Sequence, residues 1–387
     1  MKHPYLAKRH WKTELSENEK AGRLQFDGPV INLTIGDPDM NTHPLIIEAA
    51  FADAKAGHTH YTNSFGDPEL RAELCSFYKK QYGMELDKDE VFICAAGNVG
   101  MYLVMQVILD PGDEVLVAAP CFGEYLPQVE LAGGVPVIVE TFEEDNFQLS
   151  IERMEAAVTP RTKAILFNTP CNPTGVCYTM EGLRGIADVA KRHDLIVVAD
   201  DIYTDFSFET PFVPIASLPD MFPRSITVNS FSKNYTMTGW RVGNIVGPRE
   251  ILDVLAQLNG SVVFTAPSIS QRAALYALRN RDQIVPPVIA EYRRRLDYAA
   301  GRINAIPGLS VLKPQGTLYL FPNIKGSGMT SAEVVAKWAG VGVLVMPGTG
   351  FGGACGEGYV RISCTVGVDQ LKEAFDRIES LPEFGGK

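Results

Sequence analysis

The middle of this chain repeats one pattern: a short, mainly apolar run, a stretch with helical spacing, then another apolar run. The runs fall at residues 91–94, 115–119, 135–140, 164–168, 195–199, 226–228 and 243–246. Helix-like stretches at 99–109, 125–132, 151–158 and 181–193 lie between several of them. Strands that are apolar on both faces must be covered on both faces, and alternating helices supply that cover. The pattern predicts an α/β fold: a large domain with a mostly parallel seven-stranded sheet flanked by helices. Beyond residue 280 the character changes. A long charged amphipathic helix at 282–305 precedes short strand candidates at 318–322 and 359–363, with helices near 331–339 and 369–380. These predict a smaller α+β domain. The expected division is 46–280 for the large domain, with 1–45 and 281–387 together forming the small one.

Composition narrows the function classes. The 387 residues carry a net charge of −11, and 46% are apolar. An acidic chain does not track a phosphate backbone, so no nucleic-acid partner is expected. No apolar run approaches the roughly 18 residues that suggest a membrane span, and the N-terminus lacks the apolar core of a secretory signal. The seven cysteines are odd in number and irregularly spaced. That argues for free thiols in a cytoplasmic protein rather than a disulfide framework. Cys171 and Cys177 flank Asn-Pro-Thr-Gly without further ligands at a suggestive spacing, so no metal is expected.

Open parallel sheets bind ligands at the carboxyl ends of their strands, so the residues just after each run matter most. After 195–199 come Asp200 and Tyr203, a carboxylate and a phenol three apart. After 164–168 comes a Pro- and Gly-fixed turn that holds Asn172; by itself "NPTG" reads as a plain turn. After 91–94, the small residues Ala96, Gly97 and Asn98 open a helix, where free N–H groups and the dipole favour an anion. After 226–228 comes "SFSKNYTMTGWRVG", which sets Lys233 beside Ser230 and Ser232, with Arg241 eight residues on. Together these offer an anion cradle with hydroxyls and a cation, an amine nucleophile, a carboxylate and two hydrogen-bonding groups. Pyridoxal 5'-phosphate requires that set, for its phosphate, aldehyde, ring nitrogen and 3-oxygen respectively. Phe65, Tyr125, Phe264 and Tyr319 are aromatic candidates for the pocket border, with a place in the core an equal reading.

At these residues the sequence resembles the class I/II aminotransferases, the fold-type I pyridoxal-phosphate enzymes related to aspartate aminotransferase. The resemblance runs collinearly over nearly the whole chain. Its markers are "IGDPD" at 35–39, "YTNSFGDPELR" at 61–71, "DPGDEVLVAAPCFGEY" at 110–125 and "NTPCNPTG" at 168–175. They continue with "ADDIYTDF" at 199–206, the lysine stretch at 230–243, "PGTGFG" at 347–352 and "YVRISC" at 359–364. The resemblance implies that Lys233 is the Schiff-base lysine and proton shuttle. It implies Asp200 as partner of the ring nitrogen, with Tyr203 and Asn172 as donors to the 3-oxygen. Ser230 and Arg241 match phosphate ligands, with the Ala96–Asn98 backbone as the anion nest. Phe122 falls where an aromatic stacks on the cofactor ring. Arg361 matches the arginine that grips the substrate α-carboxylate, in a pocket lined by the segment holding Gly36. Tyr61 matches a tyrosine that reaches the phosphate of the neighbouring subunit, which implies a homodimer.

The implied activity is ping-pong transfer of an amino group from an L-amino acid to a 2-oxo acid. Asp201 replaces a glutamate common at its position, and Asn98 and Phe122 stand at places where relatives vary. The last two bear on specificity rather than reaction type. The same scaffold hosts C–S lyases, decarboxylases and other biosynthetic enzymes, and these remain the alternative at this stage. A ligand-sensing regulator is the other class weighed, and it is disfavoured because the family pattern fills the chain.

Overall fold

A computed structural model describes residues 3, 5, 7, 20–24 and 26–385. Most of the first 19 residues, part of the segment expected in the small domain, therefore lie outside the described residues. Strand β1 (Ile31–Asn32) is followed by helices α1 (Pro44–Lys55) and α2 (Pro68–Tyr82). The alternating region then runs β2 (Val91–Cys94), α3 (Gly97–Ile108), β3 (Glu114–Ala119), α4 (Tyr125–Leu131), β4 (Val135–Glu140), α5 (Ile151–Ala157) and β5 (Thr162–Asn168). It continues with α6 (Met180–Arg192), β6 (Ile196–Asp200), β7 (Ser225–Ser230) and β8 (Gly243–Val246). Helices α7 (Arg249–Val262), α8 (Ser268–Arg279) and the long α9 (Arg281–Ala305) lead to the last part. That part holds β9 (Tyr319–Leu320), α10 (Ser331–Ala339), β10 (Val343–Leu344), β11 (Met346–Pro347), β12 (Val360–Ser363) and α11 (Val368–Glu379).

The seven expected strands form one seven-stranded sheet in the order β2-β8-β7-β6-β5-β3-β4. All neighbours pair in parallel except β8, which runs antiparallel to both β7 and β2. The side-chain alternation of the strands explains why both faces are apolar. Val115 and Val117 of β3 join Leu166 of β5 in a core beneath α3 and α7. Leu116 and Ile165, one residue over, enter the opposite core with Ile186 of α6 and Met154 of α5. A separate core gathers Ile31 and Leu33 with Leu296, Trp338, Val343 and Phe375.

Local signals set the ends of the helices. At α2, the Asp67 carboxylate accepts from Glu69 N at 2.8 Å and Pro68 opens the helix. That is the structural content of "GDPE", since Asp is a strong N-cap and Pro fits the first helical position. At α10, Thr330 and Glu333 form a reciprocal capping box. The reversal at β8 matters for function. Because β8 runs backwards, its first residues, rather than its last, sit at the edge where the parallel strands end. Arg241 and Gly243 thereby join Asn168, Asp200 and Ser230 along one rim of the sheet.

Candidate active site

A cavity of about 580 Å³ opens along that rim. Of the residues singled out in the sequence, Gly36, Ala96, Gly97, Asn98, Phe122, Asn172, Asp200, Tyr203, Ser230, Ser232, Lys233, Arg241 and Arg361 all line it. Tyr61 does not; it is 80% exposed, its ring edge-on to Phe264 at 4.7 Å. Asp201 follows Asp200 but faces away into the protein, 2% exposed, as strand alternation requires. Tyr125 and Tyr319 line the cavity, whereas Phe65 and Phe264 do not.

Asp200 ends β6 with both carboxylate oxygens engaged. Oδ2 accepts from the Tyr125 hydroxyl at 2.6 Å, and Oδ1 from the Ile202 N–H at 3.2 Å. Burial raises this carboxyl to about 6, and the Tyr125 hydrogen bond pulls the other way by favouring the ionised form. The Asn168 amide donates to Asp200 O at 2.6 Å and its own oxygen accepts from Asn172 N at 2.7 Å. One side chain thus ties the end of β6 to the "NPTG" turn.

Arg361, on β12, is 7% exposed and lies between two rings, Tyr319 and Phe351, each 4.4 Å from its guanidinium carbon. It donates to Asn172 Oδ1 at 3.1 Å and to Thr34 O, while its Nε has no partner. Burial lowers its proton affinity from the usual arginine range. A buried fork with an unmet N–H is suited to a carboxylate. Its bond to Asn172 also settles the orientation of that amide: the oxygen faces Arg361, which leaves the NH₂ to donate elsewhere.

Lys233 follows β7 by three residues and its Nζ donates to Gly36 O. Gly36 is required by close approach, because a Cβ there would fall 1.8 Å from the Tyr319 hydroxyl. That hydroxyl accepts from Tyr203 at 3.2 Å. Tyr203 is 3% exposed, and burial pushes its phenol well above the usual range.

The start of α3 is open. Its N-cap is Ala96, at φ 82°, which has no side chain able to cap the first N–H groups. Around it stand Ser230, whose hydroxyl lies 2.9 Å from that of Ser232, and the exposed Arg241, at φ 52°. An anion can be held by these N–H groups, hydroxyls and guanidinium. The cavity thus offers an anion nest, a carboxylate at a strand end, a primary amine and a buried guanidinium.

Sequence reasoning missed what Tyr125 and Gln128 do, although both belong to the helix it placed after "PCFGEY". Tyr125 was an aromatic border candidate and turns out to be a hydrogen-bond partner of Asp200. Gln128 lines the cavity beside Asn98.

Comparison with known proteins agrees with this picture. The family model for aminotransferase class I and II matches residues 28–378. The chain is 36% identical over 378 residues to an aspartate aminotransferase of Geobacillus stearothermophilus, covering 95% of each chain. It is 40% identical over 359 residues to aromatic-amino-acid aminotransferase 2 of Thermococcus litoralis, covering 91% of each. Among solved structures, a single mutant of Thermus thermophilus aspartate aminotransferase superposes with TM-score 0.91 at 33% identity, over 98% of this chain and 99% of that one. The aromatic aminotransferase of Pyrococcus horikoshii gives 0.88 at 38% identity, over 94% and 97%.

Proposed function

This chain belongs to the class I and II aminotransferases, and from that membership we propose a role for each residue of its cavity. It is a pyridoxal-phosphate-dependent enzyme that transfers an amino group between an amino acid and a 2-oxo acid. When bound, pyridoxal phosphate supplies an aldehyde that takes up the amino group and a ring that withdraws electrons from the substrate α-carbon.

The residues present fit that group. The uncapped start of α3 at Gly97 and Asn98, with Ser230, Ser232 and Arg241, holds the phosphate. Asp200, tied by Tyr125 and the Ile202 N–H, is the anion that keeps the ring nitrogen protonated. Tyr203 and the free NH₂ of Asn172 would donate to the ring 3-oxygen, and Phe122 would pack against the ring; all three line the cavity. Lys233 is the amine to which the aldehyde attaches. With the cofactor bound, the Lys233 amine would serve as the general base that takes the proton from the substrate α-carbon and carries it onward. Arg361 grips the substrate α-carboxylate through its fork, beside Gly36, and so aims the α-hydrogen at Lys233. Release of one oxo acid before the next enters gives ping-pong kinetics.

The observation that carries this reading is that Lys233, Asp200 and Arg361, from three distant parts of the chain, face one cavity. Borohydride reduction of the enzyme loaded with cofactor, followed by peptide mapping, is expected to place the pyridoxyl label on Lys233. A label elsewhere, or none, overturns the assignment. The first amino donors to assay are aspartate and the aromatic amino acids, after which the relatives are named.

We further propose a homodimer in which Tyr61 completes the partner's phosphate site. Its 80% exposure beside Phe264, itself 53% exposed, supports that reading. A monomer by sedimentation, with full activity, would sink it. Residues 46–280 are proposed as the cofactor-binding domain, with the remainder as the small domain. The seven thiols support a cytoplasmic setting.

A further inference from the structure

Gln128 sits on α4, 6% exposed, with its side chain directed at Asn98 in the first turn of α3. Its Nε2 lies 3.2 Å from the backbone oxygen of Asn98 and 2.7 Å from the Asn98 side-chain Oδ1. An amide side chain fits its site either way round, since its NH₂ group and its oxygen are similar in size. Here the chemistry decides. A backbone carbonyl can only accept, so the Gln128 atom facing it must be the nitrogen. The Asn98 atom facing that nitrogen at 2.7 Å must then be an acceptor, which fixes it as oxygen. Gln128 Oε1 is left buried with no partner, so the pair is not arranged to satisfy Gln128 itself.

We infer that Gln128 is a positioning residue that turns the Asn98 amide so that its NH₂, and not its carbonyl, faces the anion at the start of α3. The inference rests on the reading of that helix start as the phosphate site. Asn98 is exposed and lines the cavity, where a freely rotating amide would present its oxygen part of the time. An oxygen there repels a phosphate; an N–H donates to it. The lock adds a neutral donor beside the backbone N–H groups without adding a charge. None of this concerns substrate chemistry, so Gln128 is not a catalytic residue.

The test is a double-mutant cycle on the full-length chain freed of cofactor, with pyridoxamine 5'-phosphate as the probe and pyridoxamine as its phosphate-free control. Pyridoxamine 5'-phosphate binds without a bond to Lys233, so its Kd reports contacts alone. Gln128→Met keeps the shape and removes the donor. It is expected to weaken pyridoxamine phosphate by roughly 3- to 10-fold, less than the full worth of a hydrogen bond to a charged group. It should leave pyridoxamine unchanged and have no effect in an Asn98→Ala background. An equal effect in that background marks Gln128 as merely structural and overturns the inference, as does no effect in the native background. Should Gln128→Met fail to fold, Asn98→Asp at the exposed position decides. It keeps the bond to Gln128 and turns an oxygen to the anion, so it must weaken the phosphate ligand at least as much as Asn98→Ala. If the unaltered protein binds pyridoxamine and its phosphate equally, the phosphate-site reading fails instead, and the two failures are distinguishable.

Discussion

Tyr125 and Asp200 are joined by a 2.6 Å hydrogen bond between residues 75 apart in sequence. The bond comes from α4, on one flank of the sheet, to the end of β6. Burial raises the group, the bond favours the ionised carboxylate against it, and the two together with the Ile202 N–H leave it at about 6. Tyr125→Phe keeps the ring in its place and removes only the donor. We expect Asp200 then to ionise at higher pH, and cofactor affinity at neutral pH to fall by about 10-fold, the scale of one hydrogen bond to a charged group. An absorbance titration of cofactor binding between about pH 5 and 8 checks this. The midpoint should move upward; an unchanged midpoint would show that the phenol does not hold the anion.

The sheet was legible in the sequence because its strands are short apolar runs rich in valine and isoleucine, bounded by turn residues and separated by helical stretches. The direction of β8 was not. Pairing direction depends on how the connection from Ser230 to Gly243 turns, and that segment is irregular rather than a helical crossover. Helices α1 and α2 carry weak periodicity, and α7 and α8, although amphipathic, lie outside the strand–helix alternation, so none of the four stands out beside the apolar runs. Lys233, Asp200 and Arg361 could be named since their chemistry follows strand ends and motifs. Tyr125 and Gln128 could not, because their partners come from tertiary packing. A helix face at 125 and 128 says which side is inward, never what waits there.

The buried carboxyl of Asp200 makes the cofactor-free protein sensitive to pH in a defined direction. Its folded value of about 6 lies above the ordinary 3.8, so between the two the native state binds more protons than the unfolded chain. Stability from this group is therefore complete below about pH 4 and is lost as pH rises toward and through 6. At about 1.4 kcal/mol for each intervening pH, the loss is roughly 3 kcal/mol. Asp200→Asn should remove this group's share of the slope and leave that of Asp201 and Asp205, whose carboxyls burial also raises. Urea unfolding of both proteins from about pH 4 to 7 measures it; parallel curves would contradict the assignment. The same substitution should suppress amino transfer severely, by removing the anion opposite the ring nitrogen.

Arg361→Lys replaces a planar fork with a point charge at a position stacked between Tyr319 and Phe351. A lysine's single nitrogen lacks the spread, planar fork that reaches Asn172 and Thr34 while meeting a carboxylate bidentately. We expect kcat/KM for amino-acid donors to fall roughly 10²- to 10³-fold, the worth of one to two charge-assisted bonds. Cofactor absorbance should be retained. Loss of cofactor instead of donor affinity would place Arg361 in the wrong role.

Gly243 begins β8, and a Cβ there would lie 2.6 Å from Asn229 O and 2.9 Å from Gly97 N. Both neighbours are backbone atoms, so no side chain can swing aside. The strand and the start of α3 would have to part, and the anion nest would open with them. Gly243→Ala should therefore cost about 1–3 kcal/mol of stability, as overpacking does, and weaken pyridoxal phosphate by about 10-fold or more. Gly260 supplies the contrast. It sits exposed in α7 with open space around the missing Cβ, where alanine is the better helix former. Gly260→Ala should stabilise by about 0.5–1 kcal/mol and leave cofactor affinity alone. Thermal melts and cofactor titrations of the two variants side by side separate local fit from a general intolerance of added methyl groups. Equal losses in both would remove the case for a sterically enforced gap at Gly243.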